Sequence, residues 1–247
     1  MNTFPDNLQE AIIQAKDATK KAIADGYNRV QVEFVIPEIT LQSQFIAKEF
    51  ANLFEEYGSG VKVMFADTGA AMLAKRDWGD TPFKVTDLGS RFTPVETQIE
   101  DTDEIFILAC PSAVEVERVE KLCNLSGDRP VVLLIPQLED VAIVGIGLAA
   151  RQLRDRFIST LYSSYYIRPL DEASILRCHP NPWQIWLEKE SGYELATELS
   201  DKPMGDDLER LLLKLTAPEA PDEVANERRK RSGIFGNLQK FLKALSQ

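Results

Sequence analysis

Four short runs rich in apolar and β-branched residues alternate with stretches of helical periodicity, and this alternation leaves the chain few folds. The runs lie at 30–36, 61–66, 105–110 and 130–135. The last, Pro-Val-Val-Leu-Leu-Ile, is apolar throughout, the pattern of a strand covered on both faces. Between them the spacing predicts helices. Pro5 and Asp6 open one that places Leu8, Ile12, Ala15, Ala22 and Ile23 on one face and stops at Gly26. A second carries Leu41, Phe45, Phe50, Leu53 and Phe54 and ends at Gly58-Ser59-Gly60. Asp67 can cap a third over 70–76, broken by Trp78-Gly79-Asp80, and a fourth covers 113–123. Strand–helix alternation of this kind predicts an α/β fold, a mostly parallel sheet of about four strands with flanking helices.

Beyond Ala150 the texture changes. Segments 157–167, 174–179, 183–188 and 193–199 are short, extended in character and separated by turn residues. They predict an antiparallel meander that extends the sheet at its C-terminal end. A short helix over 206–215 follows. The expected organisation is one α/β domain over 1–215, parallel to about 157 and antiparallel from there to about 200. A linker at 216–227, rich in Pro, Ala and acids, then leads to a tail at 228–247.

Charge divides the chain the same way. The net charge is −11, but Arg228, Arg229, Lys230, Arg231, Lys240 and Lys243 make the tail +6 with no acid. Of 28 basic residues, 22 then remain against all 39 acids, a balance of −17 for the rest. An acidic body of this kind excludes nucleic acid as a general partner, since phosphate binding needs a basic footprint. In the tail, Ile234, Phe235, Leu238, Phe241, Leu242 and Leu245 fall on a single helical face. A basic amphipathic helix on a linker has the chemistry for membrane-surface binding or helix-in-groove docking, and these apolar and basic residues are its contact set. A terminal helix folded back on the acidic body is the alternative.

The three cysteines, Cys110, Cys123 and Cys178, show no CxxC spacing, which predicts reduced thiols in a cytosol-like compartment. The N-terminus lacks the features of a signal peptide. The longest apolar stretch, 141–150, is short of the roughly 20 residues that cross a bilayer. A cytoplasmic chain with peripheral membrane contact at most is expected.

Several segments carry residue types suited to chemistry. Asp67-Thr68-Gly69-Ala70 stands where open α/β sheets bind ligands, so Thr68, Gly69 and Ala70 could hold an anion, with Arg151 and Arg154 as basic partners on one helix face. An ordinary cap at Asp67 and arginines paired to acids of the body are the stronger expectations. Gly145-Ile-Gly147-Leu-Ala-Ala150 resembles a dinucleotide turn, but it lies well past a fourth strand, and close helix packing explains it better. His179 is the only histidine, and adjacent Cys178 and His179 point to opposite faces of an extended segment, which argues for a structural role and against joint metal ligation. Trp183 and Ile185 alternate with Gln184 and Trp186, so one Trp should be core and Trp186 could be an exposed interface residue. No nucleophile, Walker-type or metal motif is present. No catalytic residue, cofactor or metal is assigned.

Several separated motifs carry a family resemblance. The runs FADTGAAMLAKRDWG at 65–79, RPVVLLIP at 129–136 and GLAARQLR at 147–154 are among them. So are FIST at 157–160, YYIRPL at 165–170 and WQIW at 183–186. Over about residues 4–199 the chain resembles an uncharacterised domain family of cyanobacteria and plastids. That family includes the plant proteins named for low photosystem II accumulation and a domain fused to a plastid adenylate kinase. The resemblance implies a photosynthetic host and a role in photosystem II assembly at the thylakoid, with photosystem assembly proteins or the thylakoid surface as partners. It supplies no catalytic residues. An enzyme or regulator with a small-molecule or nucleotide pocket at the strand carboxyl ends is the second reading.

Overall fold

The computed structural model describes residues 3–89, 93–139 and 147–216. The chain is α/β, with a first helix α1 (Leu8–Ala24), and forms two compact units. One comprises Thr19–Glu33 and Glu38–Ser164; the other comprises the chain up to Ala18, Phe34–Pro37 and the chain from Tyr165 onward.

The first unit is built on five parallel strands. They are β1 (Arg29–Phe34), β2 (Val61–Phe65), β3 (Lys84–Asp87), β4 (Ile105–Ala109) and β5 (Val131–Leu134), in the spatial order β3-β2-β4-β5-β1. Every residue of β2, β4 and β5 is buried, as the apolar runs require. Met64, Phe106, Leu108, Val131 and Leu133 pack on one face against Val116, Val119 and Leu122 of α4 (Val116–Leu125) and Leu153 of α5 (Leu148–Arg156). Strand alternation turns Val63, Ile105, Ile107 and Val132 to the other face. There α2 (Ser43–Leu53) lies against β2, β4 and β5, and α3 (Thr68–Trp78) lies against β2 and β3.

The expected count of about four parallel strands is corrected by β3. Lys-Val-Thr-Asp has little apolar signal, and its strand exists because it pairs with β2 along four residues and because Lys84 is held in an ion network. Leu41 and Phe45 do not belong to the core face of α2. Leu41 sits in a 3-10 turn (Ile39–Gln42) and Phe45 points outward, while Ile46, Ala47 and Phe50 fill the buried stripe.

In the second unit β6 (Tyr162–Pro169), β7 (Ala173–Cys178), β8 (Trp183–Lys189) and β9 (Gly192–Leu199) form an antiparallel meander. β6 begins later than the sequence suggests, because Ile158–Thr160 form a 3-10 turn. On one face Tyr166, Ile175, Trp183 and Ile185 pack against Leu208, with Leu211, Leu212 and Leu215 adding to the cluster from the same helix, α6 (Gly205–Thr216). On the other, Phe4 lies 5.9 Å from Trp186 and 4.0 Å from Tyr193. Both tryptophans are therefore buried, at 6% exposure each, and the exposed Trp186 expected from alternation is overturned. The N-terminal segment covers the face that alternation alone assigns to solvent.

Gly147 is the N-cap of α5 in an extended conformation, and an added Cβ there meets nothing within 4 Å. Close helix packing does not explain it; Gly145 lies outside the described residues. Residues 217–227 of the expected linker and the tail contact set from Arg228 to Leu245 also lie outside them.

Candidate functional site at the strand carboxyl ends

The strand order fixes where a site can form in the parallel unit. From β2 the chain moves outward through α3 to β3, whereas from β4 it moves the opposite way through α4 to β5. The carboxyl ends of β2 and β4 thus flank a topological switch point, the crevice in which open α/β sheets bind ligands. Asp67-Thr68-Gly69 leave β2 on one side, and Cys110-Pro111-Ser112 leave β4 on the other.

The polar groups there are engaged with one another. Asp67, extended at φ −137°, accepts a hydrogen bond from the Ala70 amide at 2.9 Å and so caps α3. Thr68 Oγ1 donates to Asp87 Oδ2 at 2.7 Å, and Asp87 Oδ1 accepts from the Gly89 amide at 2.7 Å. Ser112 Oγ donates to Glu115 Oε2 at 2.5 Å. The helix start that could have offered amides to an anion is therefore closed by its own carboxylate, with Asp87 alongside. Arg154 pairs with Glu139 and Arg156 makes a two-pronged contact with Glu120 at 2.8 and 2.9 Å, while Arg151 stands exposed on the same helix. Cys110 adopts a left-handed φ of 49°, and burial pushes its thiol up to about 11 despite a hydrogen bond with Ser43. Burial likewise pushes Cys123 up to about 12. Neither thiol supplies a thiolate nucleophile near neutrality.

What the carboxyl end does offer is an apolar groove. Between α2 with its preceding 3-10 turn and α3 lies an open cleft of about 630 Å³ beside the end of β2. Leu41, Phe45, Phe65, Leu73 and Trp78 supply its apolar walls; Thr40, Ser43, Gln44 and Ala70 complete it, and Lys48 is the charged residue lining it. Leu41 is 77% exposed, Phe45 43% and Leu73 41%. These side chains stand exposed although the buried stripes of α2 and α3 already serve the core, which makes the groove a candidate binding surface. Sequence reasoning missed the groove: Leu41 and Phe45 share a spacing that also suits a core face, and only the placement of Ile46 and Phe50 decides between them.

An ionic cluster sits at the other end of the strands. Lys62, the second residue of β2, is buried and bonds Asp103 at 2.7 Å, Glu100 at 3.0 Å and the Gln98 carbonyl at 2.6 Å. Lys84, first in β3, bonds the same two carboxylates at 2.8 and 3.1 Å. Burial raises the Asp103 carboxyl, but hydrogen bonds from Lys62, Lys84 and the Glu100 amide outweigh it and hold it below its ordinary 3.8. The four groups satisfy one another at the amino ends of the strands, which makes the cluster a fastening for the 98–103 segment. A lysine inside an apolar strand run was the sequence signal for it.

Fold and site together define an α/β protein with an open parallel sheet, an antiparallel meander and an apolar groove at the strand carboxyl ends. The chain belongs to the family described as a domain of unknown function, DUF1995, whose model matches residues 5–210. No solved structure matches it. No helix among the described residues is long and apolar enough to cross a membrane.

Proposed function

We propose that the chain is a non-catalytic accessory factor of the photosynthetic apparatus, acting in photosystem II biogenesis at the thylakoid surface. The groove between α2 and α3 carries this reading: it sets exposed apolar side chains beside the carboxyl end of β2, next to a switch-point crevice whose polar groups bond one another. The family resemblance to the plant proteins named for low photosystem II accumulation supplies the process. The tail supplies attachment from the cytoplasmic side. Each basic residue near an anionic leaflet contributes about 1 kcal/mol, and each large apolar side chain it buries about 1.5–3 kcal/mol before ordering costs. That is sufficient for reversible docking.

An enzyme or regulator with a nucleotide pocket near Asp67–Ala70, the reading that the resemblance to the adenylate kinase fusion favours, has weaker support, since Asp67 occupies the amide that a phosphate would need. Inactivating the gene in a photosynthetic host tests the proposal. Photosystem II content per chlorophyll should fall while photosystem I is unchanged, and Asp67→Asn should restore it. Unchanged photosystem II levels would refute it.

A further inference from the structure

We propose that the α2–α3 groove is the docking place for an apolar helix of a partner protein that presents one carboxylate to Lys48. The inference rests on the accessory-factor reading and names the partner's chemistry. Three observations carry it.

First, the apolar rims come from two separate segments, Leu41 and Phe45 on one side and Leu73 on the other, and all three stand exposed around Phe65 and Trp78. A helix laid between the two segments would meet apolar side chains on either side with anchors at i, i+3, i+4 and i+7. Second, the cleft is open. A small ligand is held by enclosure of most of its surface, and a groove whose rim Leu41 is 77% exposed does not enclose one. Third, the charge is selective. A chain with 39 acids and 28 bases lines this groove with one ammonium, Lys48, and no carboxylate. A buried ammonium at an interface needs a counter-charge, so the occupant carries an acid in register with it. A second copy meeting this groove with its own groove would set Lys48 against Lys48. An anionic bilayer would meet a body of −17 (22 basic against 39 acidic residues outside the tail).

The test uses the full chain and a synthetic helical peptide of about five turns, with Leu at i, i+3, i+4 and i+7 and a single Glu beside that stripe. Its twin carries Lys in place of the Glu. Trp78 emission and peptide anisotropy are the readouts, with Trp78→Phe separating the groove signal from that of buried Trp183 and Trp186. The Glu peptide should bind and shift Trp78 emission, with the Lys twin about tenfold weaker. Leu73→Asp and Phe45→Asp should each weaken the Glu peptide by about tenfold. Lys48→Glu should invert the order of the twins, and Lys48→Gln should equalise them. No binding, equal binding of the twins to the native chain, or an order unchanged by Lys48→Glu would overturn the proposal. Unfolding midpoints verify that each variant folds. Vesicle binding of Leu73→Asp should match the native chain, so failure of the groove and failure of the tail are read separately.

Discussion

Replacing Asp103 by Ala should destabilise the protein far more than any change to its exposed partner Glu100. Asp103 is buried and joins two lysines, at 2.7 Å to Lys62 and 2.8 Å to Lys84, while also accepting the Glu100 amide at 2.8 Å. Removing it leaves the Lys62 ammonium, 3% exposed, with Glu100 and the Gln98 carbonyl alone. Stranding one partner of a buried pair costs about 3–5 kcal/mol, and the surviving contacts place this case near 3 kcal/mol. Glu100→Gln removes a carboxylate that is 58% exposed and should cost less than about 1 kcal/mol. Acid adds a second signature. The native Asp103 carboxyl titrates below its ordinary 3.8, so its stabilisation is fully present above that pH and is lost as pH falls through the lower native value. Urea unfolding followed by tryptophan fluorescence should show a constant gap between native and Asp103→Ala proteins near neutrality, narrowing below pH 3.8. A gap under about 1 kcal/mol, or one that persists unchanged in acid, refutes this account of the cluster.

Four further substitutions probe particular readings. Trp186→Ala should cost about 3–5 kcal/mol by urea unfolding, because Phe4 covers it, whereas an exposed tryptophan would cost a few tenths. Asp67→Ala removes the cap of α3 and should cost about 1 kcal/mol in the same assay. Gly89 and Gly147 should differ sharply on change to Ala. At Gly89, φ is +87° and a Cβ would lie 2.3 Å from the Thr93 carbonyl, so thermal unfolding should shift by several degrees. Gly147→Ala, with an ordinary φ and nothing against the added Cβ, should cost no more than about 1 kcal/mol, from the lost N-cap preference alone.

The parallel strands were legible because burial on both faces writes an unbroken apolar run, as at Val131–Leu134. The meander was legible from its turn residues. β3 was not, because Lys84 and Asp87 serve contacts that local sequence does not announce. Trp186 was misplaced because a cover from the distant Phe4 is a tertiary fact. The cap at Asp67 could be read from residue type alone. The groove could not, since an outward Phe45 and an inward Ile46 differ by one helical step of 100° that only packing resolves.

Co-sedimentation with anionic, thylakoid-like vesicles across a salt series, comparing the full chain with a form ending at Glu227, tests the central claim most directly. The account predicts full-length binding that weakens with salt and disappears on truncation. Binding by neither form, or equal binding by both, would contradict it.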